Sequence, residues 1–181
     1  MATPTKLHFS KENIVLIGFM GSGKSTVGRL IAEELGYTFI DSDAWIESKL
    51  DMKIKEIFAA RSESYFRSLE KMFIDANHND HSLVIATGGG MPCFNDTHAL
   101  GINIYLRVPF EVIAKRLKDD GLRPLFQDEA KALELFKRRE AIYERAQFVV
   151  DGSLRPVEVK DSILKLLKDS YLKSTPPKDL H

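Results

Sequence analysis

The segment from Gly18 to Ser25 most constrains how this chain can fold. Its sequence, GFMGSGKS, matches the pattern G-x-x-x-x-G-K-[ST] and lies between the apolar run 13–18 and an amphipathic stretch that begins at Lys24. The apolar run predicts a buried strand, and the following stretch predicts a helix that Gly36 can end. Such a unit turns backbone N–H groups around phosphate oxygens and adds the positive charge of a helix N-terminus. The segment therefore predicts a nucleoside triphosphate site.

Two side chains of this phosphate-binding loop have expected roles. Lys24 is expected to reach the β- and γ-phosphates, and the hydroxyl of Ser25 is expected to ligate Mg²⁺. The alternative is a chance glycine-rich turn, which the flanking strand and helix disfavour. The residues expected to bind the nucleotide here are Gly21, Ser22, Gly23, Lys24, Ser25 and Thr26.

Composition limits the class of protein. The 181 residues are enough for one domain with a sizeable core, and 44% hydrophobic and 29% charged residues are typical of a globular chain. With 26 basic and 26 acidic residues the formal net charge is zero, which argues against nucleic-acid binding by phosphate neutralisation. No apolar run approaches the roughly 20 residues of a membrane span, and the N-terminus resembles neither a signal nor a transit peptide. The single cysteine, Cys93, favours a reducing compartment, so we expect a cytoplasmic protein.

Short apolar runs alternate with amphipathic stretches along the rest of the chain. This alternation predicts a parallel sheet with helices on both faces, in which ligands bind at the carboxyl ends of the strands. The further predicted strands are 37–41, 83–87, 102–108 and 148–151. One predicted helix follows Ser42, which could cap it, and two more span 53–60 and 63–76. A fourth begins with Pro109 in its first position. A long helix then ends at about Ala146, and the last spans 156–172.

The predicted domain organisation is simple. We expect one domain over 13–172, preceded by a short polar leader over 1–12 and followed by a flexible tail over 173–181. The polar stretch 118–129 contains glycine and proline and predicts a loop that acts as a mobile lid. No exposed apolar stripe is apparent, so we expect a monomer.

Six segments together carry a resemblance to a known family. In their order and spacing they resemble the motifs of shikimate kinases, over about residues 13–156. The resemblance implies a three-layer α/β/α P-loop kinase fold with a central five-stranded parallel sheet of order 2-3-1-4-5. It also implies ATP-dependent phosphorylation of the 3-hydroxyl of shikimate, which gives shikimate 3-phosphate and ADP in the pathway to chorismate and aromatic amino acids. The segments are GFMGSGKST (18–26), the DSD run (41–43), IFAARSESYFR (57–67), ATGGG (86–90), LRPL (122–125) and RREAIYERA (138–146).

Two aspartates at the end of the second predicted strand are candidates for metal and acceptor binding. The third strand ends in Thr87, where P-loop enzymes ordinarily place an aspartate, so Asp41 is the candidate second Mg²⁺ ligand, through a bound water. Asp43 is expected to accept a hydrogen bond from the acceptor hydroxyl, and the resemblance implies that it is the base. One or both could instead simply cap the next helix. Because the transition state is loose, positioning should matter more than proton removal.

Two arginines are candidates for binding an anionic acceptor. We expect the acceptor-binding region at about 42–76, which contains Arg67, whereas Arg139 lies outside it. Arg67 and Arg139 fall on predicted helices, and a planar guanidinium pairs bidentately with a carboxylate. Each arginine alone could be a solvated surface residue, but the resemblance implies that both hold the carboxylate of shikimate. The family has Gly-Glu where this chain has Ser62-Glu63. A serine can cap the helix here, but it would be strained if the position needs a positive φ.

A run of three glycines follows the third predicted strand. Gly88, Gly89 and Gly90 have no side chains to block a ring, and their N–H groups are expected to bond acceptor hydroxyls. The alternative is a flexible turn, although a turn at the carboxyl end of a strand is more often a ligand loop. Phe58 and Phe66 could pack against the acceptor ring or belong to the core.

The lid and the adenine pocket supply the remaining candidates. Arg123 is expected to meet the transferring phosphoryl group while the lid excludes water, with an exposed loop arginine as the alternative. By family position, Arg116 should lie beside adenine. Residues 154–156, including Arg155 as a nucleotide-binding residue, should form the other side of that pocket.

Other functions fit parts of the sequence. An NKxD motif is absent, which argues against a GTPase, and the TGGG run differs from the DGxPR-type segment of adenylate kinases. Gluconate kinase and dephospho-coenzyme A kinase remain in the same class, although the arginines and the LRPL segment argue against the latter. A P-loop relative that binds ligand without turnover is a different class. That reading predicts loss of reactive residues, whereas Lys24, Ser25, Asp41, Asp43 and Arg123 are all present.

Overall fold

Five parallel strands form the single sheet that organises the described part of the chain. The structure is a computed structural model that describes residues 12–119 and 128–174. Residues 1–11, 120–127 and 175–181 lie outside it, and with them most of the predicted leader, lid and tail. The order across the sheet is β2-β3-β1-β4-β5, which confirms the order that the resemblance implied. The strands are β1 (Ile14–Ile17), β2 (Thr38–Asp41), β3 (Leu83–Ala86), β4 (Ile102–Arg107) and β5 (Phe148–Asp151).

Helices cover both faces of this sheet, as the alternating pattern predicted. They are α1 (Lys24–Leu35), α2 (Ser42–Leu50), α3 (Ile54–Ala60), α4 (Glu63–Asn77), α5 (Met91–Phe94), α6 (Phe110–Asp119), α7 (Glu129–Tyr143) and α8 (Pro156–Ser174), with a 3₁₀ turn at Thr97–Leu100. Among the described residues, none of these helices is both long and apolar enough to cross a membrane.

The central strand β1 shows why both faces must be covered. Each of its four residues is at most 2% exposed. Successive side chains of a strand point to opposite faces. Accordingly Ile14 and Leu16 pack with α1 and α8, whereas Val15 and Ile17 pack with residues of α4, α6 and α7. The core is therefore two apolar layers with the sheet between them.

Helices α2, α3 and α4 form a smaller layer of their own beside the sheet. Its buried side chains are Ile46, Ile57, Phe66 and Leu69. Because α2 begins where β2 ends, this layer starts at the carboxyl end of that strand, the end at which ligands bind in parallel sheets. It corresponds to the region predicted to bind the acceptor.

Two helix ends, the C-terminus of α1 and the N-terminus of α4, agree with signals in the local sequence. Gly36 ends α1 with a φ of 67°, as predicted. Ser62 caps α4 from extended backbone with a φ of −76°, and its hydroxyl accepts a hydrogen bond from the N–H of Tyr65 at 3.2 Å. The serine that replaces the family glycine is therefore unstrained.

Three predicted helix bounds are corrected by the structure. Asp41, not Ser42, caps α2, because the Asp41 carboxylate accepts the N–H groups of Asp43 and Ala44. Pro109 precedes α6 instead of opening it, and its carbonyl accepts the first hydrogen bonds of that helix. The helix expected to reach about Ala146 ends at Tyr143.

Candidate active site

The phosphate-binding loop needs glycine at two positions. Gly21 has a φ of 75° and Gly23 a φ of 92°. Residues that carry a side chain rarely adopt positive φ values of this kind. Gly23 is also the residue from which α1 begins, so the left-handed backbone turns the chain into the helix. The loop 18–23 thereby places the N-terminus of α1 at the carboxyl end of β1, as the motif predicted.

Lys24 lies inside this loop. Its ammonium donates hydrogen bonds to the carbonyls of Gly18 and Phe19, both at 2.8 Å, and the residue is 8% exposed. Burial lowers the pKa of Lys24 to about 8, and the nearby carboxylates of Asp43 and Asp41 oppose that shift. A buried cation that lacks a full counter-charge is suited to bind an anion. A phosphate oxygen would supply that charge.

A cavity of about 530 Å³ opens beside the loop and matches the predicted nucleotide pocket. The guanidinium of Arg116 bridges its two sides, donating to the carbonyl of Gly21 at 3.4 Å and to that of Gly152 at 3.2 Å. Arg155 does not line this cavity, because its exposed guanidinium pairs with Glu158 at 2.8 Å. The lining residues are Gly21, Ser22, Gly23, Lys24, Ser25, Thr26, Val27, Arg116, Gly152, Leu154, Pro156 and Val159.

Ser25 and Asp41 are brought together as the candidate metal ligands. The Ser25 hydroxyl donates to Asp41 Oδ2 at 2.7 Å. The other carboxylate oxygen, Oδ1, caps α2. The two expectations for Asp41, helix cap and metal ligand, are therefore compatible in one side chain. A hydroxyl and a carboxylate are the hard oxygen donors that Mg²⁺ prefers, so the donor set fits that ion.

Asp43 is the most perturbed acid of the site. Its Oδ1 atom is buried and makes no hydrogen bond within the described residues. Burial, and secondly the charge of Asp41, raise the pKa of Asp43 to about 6, with Lys24 opposing them. An acceptor hydroxyl could satisfy this oxygen.

The three glycines after β3 lie against three different groups. A Cβ atom on Gly88 would lie 2.6 Å from Asp43 Oδ1, and one on Gly90 would lie 2.7 Å from Arg67 Nη1. A Cβ on Gly89 would lie 3.3 Å from the backbone nitrogen of Met20, in the phosphate-binding loop. A side chain at any of these positions would therefore have to displace a neighbouring atom, and the loop joins the carboxylate, the arginine and the phosphate site.

The backbone of this glycine loop is anchored on both sides. The N–H of Gly88 donates to the hydroxyl of Ser42 at 2.8 Å. The hydroxyl of Tyr143 donates to the carbonyl of Gly89 at 2.5 Å. The Gly88 N–H was expected to bond an acceptor hydroxyl, whereas here it already has a partner.

Arg67 reaches the glycine loop from α4. Its Nη1 donates to Glu70 at 2.8 Å and its Nη2 donates to Glu63 at 2.9 Å. Glu70 is fully buried, whereas the side chain of Glu63 is 60% exposed. The Nε atom of Arg67 is buried and unpaired within the described residues. The guanidinium therefore keeps donors available for a carboxylate.

Arg139 lies on α7, on the other side of the same loop. Its guanidinium is 5.9 Å from the ring centroid of Phe19. Its charge acts on Lys24 and on the thiol of Cys93, and the charge of Arg67 acts on the same thiol. Burial is the larger effect on Cys93 and raises its pKa, as expected of an unreactive cysteine. Both predicted carboxylate-binding arginines thus lie near the segment that follows the glycines.

The remaining candidates are two phenylalanines and the arginine of the predicted lid. Phe66 is buried in the core of the α2–α4 layer, while Phe58 is 42% exposed with its ring centroid 4.5 Å from that of Phe66. Phe58 is therefore the one of the two that is open to a ligand. Arg123 lies outside the described residues, so its predicted position in the lid stays a prediction.

Sequence reasoning missed several residues of the site. Glu70 is three residues after Arg67 on α4, and that spacing alone predicts an ion pair. Asn95 donates to Glu70 Oε2 at 3.1 Å, and Phe94 lies over the Arg67 guanidinium. Neither contact has a local signal, because α5 and α4 are separated along the chain.

A family model and several relatives of known function match this chain. The family model described as "Shikimate kinase" matches residues 20–168. The shikimate kinase of Helicobacter hepaticus is 42% identical over 160 residues, which are 86% of this chain and 96% of that protein. That of Clostridium botulinum is 43% identical over 165 residues, covering 87% and 95%.

Solved structures give the same picture. Shikimate kinase from Acinetobacter baumannii, in complex with shikimate, has a TM-score of 0.78 and 33% identity, covering 92% of this chain and 97% of that one. The enzyme from Aquifex aeolicus has a TM-score of 0.75 and 34% identity, covering 88% and 98%. A gluconokinase from Sinorhizobium meliloti shares the fold at a TM-score of 0.60 and 19% identity, covering 91% and 98%.

Proposed function

The chain belongs to the shikimate kinase family, and from this premise we propose how its residues phosphorylate the 3-hydroxyl of shikimate. The enzyme is a kinase that uses ATP and produces shikimate 3-phosphate and ADP. One observation carries the assignment of residues. The glycine loop touches the phosphate-binding loop, the buried Asp43 carboxylate and the Arg67 guanidinium within three consecutive residues. A donor phosphate, an acceptor hydroxyl and an acceptor carboxylate can therefore be bound side by side.

Donor binding depends on the phosphate-binding loop. Lys24 and the backbone N–H groups of the loop hold the β- and γ-phosphates, and Arg116 borders the adenine pocket. The family requires a divalent metal, which we propose is Mg²⁺, held by Ser25 and, through water, by Asp41. When bound, this ion neutralises charge on the phosphates. Arg155 contributes only if its ion pair with Glu158 opens.

Acceptor binding places the hydroxyl at Asp43. Arg67 and Arg139 hold the carboxylate of shikimate, which orients the ring across the glycine loop. The acceptor hydroxyl donates a hydrogen bond to Asp43, whose pKa of about 6 leaves it ionised near neutral pH yet able to take a proton.

Phosphoryl transfer exchanges one phosphorus–oxygen bond for another. A bond forms between the acceptor oxygen and the γ-phosphorus, and the bond from that phosphorus to the β–γ bridging oxygen breaks, which releases ADP. The hydroxyl proton passes to the Asp43 carboxylate. We further propose that Arg123 neutralises charge on the transferring group and that the enzyme acts as a cytoplasmic monomer.

A coupled ADP-release assay with Mg·ATP tests this proposal. The acceptors are shikimate, gluconate, AMP and dephospho-coenzyme A, each added separately. Turnover is expected with shikimate alone, and Lys24→Ala should abolish it. Turnover with another acceptor would refute the assignment of the arginines, and ATP binding without any turnover would favour a regulator.

Adjacent arginines on α7 provide a matched pair of variants. Arg139→Ala should raise the KM for shikimate about 10-fold or more, because a charged hydrogen-bonding partner is lost. Arg138, its neighbour, is 69% exposed and paired with Glu134, so Arg138→Ala should leave that KM unchanged. Equal effects of the two substitutions would contradict the proposed role of Arg139.

A further inference from the structure

Phe94 is an exposed aromatic residue whose position the function described so far does not use. It is the last residue of α5, directly after the glycine loop, and 55% of its surface is exposed. An exposed phenylalanine contributes little to the core. Its ring nevertheless lies under a charged group, because the central carbon of the Arg67 guanidinium is 4.1 Å from the ring centroid. This is well within the range of a cation–π contact.

The position of the ring is held by the backbone on either side of it. The N–H of Cys93 donates to the carbonyl of Gly90, and the N–H of Asn95 donates to the carbonyl of Met91, both at 2.9 Å. The side chain of Asn95 also donates to Glu70, the buried partner of Arg67. Phe94 is therefore fixed relative to Arg67, although much of its ring faces solvent.

The contact with the Phe94 ring restrains the tilt of the Arg67 guanidinium, a movement that its ion pairs leave free. Glu70 and Glu63 each bind a terminal nitrogen at the edge of the guanidinium. Hydrogen bonds at the edge locate the group but leave it able to tilt. A ring against the face restrains that tilt while leaving the Nε–H and the other edge donors available. A carboxylate binds bidentately only in the plane of the guanidinium, so the orientation of that plane decides how well it binds.

We propose that Phe94 is a positioning residue for the acceptor, which acts by holding the plane of the Arg67 guanidinium through its ring. The inference rests on the proposed function, since it assigns to Arg67 the binding of the shikimate carboxylate. It predicts a role in the KM for the acceptor and none in the KM for ATP or in phosphoryl transfer.

Substitutions that remove or keep the ring test this role. Phe94→Leu should raise the KM for shikimate about two- to fivefold, which corresponds to the strength of an exposed cation–π contact at ~1.4 kcal/mol per tenfold change. The kcat and the KM for ATP should stay within about twofold. Phe94→Trp should retain the wild-type KM for shikimate, because tryptophan is the strongest π partner of a cation.

The same substitution of Phe94, made in a variant of Arg67, shows whether its effect on the KM for shikimate depends on Arg67. In Arg67→Met the charge and the planar face are both gone, so adding Phe94→Leu should produce no further change in the KM for shikimate. The matched control is Tyr171→Leu, an aromatic residue of α8 that is 44% exposed and remote from the glycine loop along the chain. It should leave all kinetic constants unchanged. Shikimate affinity can also be followed by the fluorescence of Trp45, the single tryptophan of the chain.

The outcomes separate this inference from the proposed function. Absence of wild-type turnover with shikimate would refute the function and the inference with it. Wild-type turnover with an unchanged KM in Phe94→Leu would overturn the inference alone. An equal effect of Phe94→Leu in the Arg67→Met background would also overturn the inference. So would a joint loss of kcat, ATP affinity and thermal stability, which would indicate a structural role.

Discussion

Replacing Asp43 by asparagine should stabilise the fold and nearly abolish turnover. The carboxylate lies in a buried position beside Asp41, and its Oδ1 atom has no hydrogen-bond partner within the described residues. An ionised group in such a place is unfavourable to folding. Asparagine has nearly the same shape and no charge, so the variant removes this penalty together with the proposed acceptor of the shikimate hydroxyl proton.

The pKa shift determines the size and the sign of the effect. The pKa of Asp43 rises from its ordinary value of 3.8 to about 6. Between these values the native state binds the proton and the unfolded chain releases it, so wild-type stability falls as the pH rises from about 4 to about 6. At ~1.4 kcal/mol per pKa unit, the full penalty is about 3 kcal/mol at pH 7. It is only about 2 kcal/mol at pH 5, where the native carboxyl is still largely protonated.

Urea unfolding of both proteins at pH 5 and pH 7 measures this difference. The free energy of unfolding of Asp43→Asn minus that of the wild type should increase by about 1 kcal/mol between the two pH values. Any effect of the amide that does not depend on pH cancels in this comparison. The control is Asp75→Asn on the surface of α4, where the difference should stay within about 0.5 kcal/mol.

The same variant should lower kcat by about 100-fold or more, since a positioned proton acceptor contributes at least that factor. Wild-type kcat/KM should fall as the pH drops below about 6, the pKa of Asp43. A stability difference that is independent of pH, or that shrinks from pH 5 to pH 7, would refute the electrostatic argument. An active Asp43→Asn variant would refute the catalytic role, whatever its stability.

Three further substitutions test single contacts of the site. Gly90→Ala brings a methyl group to 2.7 Å from Arg67 Nη1, so the KM for shikimate should rise about tenfold in initial-rate assays while the KM for ATP stays constant. Equal changes in both constants would contradict it. Tyr143→Phe leaves the Gly89 carbonyl without its 2.5 Å partner, and urea titration should show a loss of about 1–3 kcal/mol, whereas an unchanged midpoint would show that the bond is dispensable. Ser25→Ala should raise the Mg²⁺ concentration for half-maximal turnover at least ~10-fold, and an unaltered metal titration would remove Ser25 from the ligand set.

The parts of the fold that were predicted correctly have local signals. The run Ile14–Ile17 is apolar at every position, and the glycine at 36 ends α1 where the apolar period stops. The short helix α5 has neither period nor length, and its start depends on the hydrogen bond from the N–H of Met91 to the carbonyl of Gly88. The cap of α2 was misplaced by one residue because the Ser42 hydroxyl is taken by Gly88, 46 residues away. A contact at that separation has no local signature.

In the site, too, some contacts have a local sequence signal and others have none. The phosphate-binding loop is a contiguous motif whose geometry follows from its own glycines and the helix behind it. The surroundings of Arg67 combine one contact that spacing predicts, with Glu70 on the same helix, and one that it does not, with Phe94 on α5. Individual roles of the acceptor residues came from the family resemblance, because a helical arginine alone is ordinarily a surface residue.

The glycine loop explains why substitutions there should affect function more than stability. An added Cβ on Gly88 or Gly90 would meet only the end of a side chain, Asp43 Oδ1 or Arg67 Nη1. A side-chain end can move away at little cost to folding, unlike a backbone atom. The atoms that would have to move are, however, those that we propose to bind the hydroxyl and the carboxylate of the acceptor. Such displacements are large compared with the tolerance of a catalytic site, so we expect Gly88 and Gly90 to be needed for acceptor binding more than for folding. A Cβ on Gly89 would instead meet the backbone of the phosphate-binding loop.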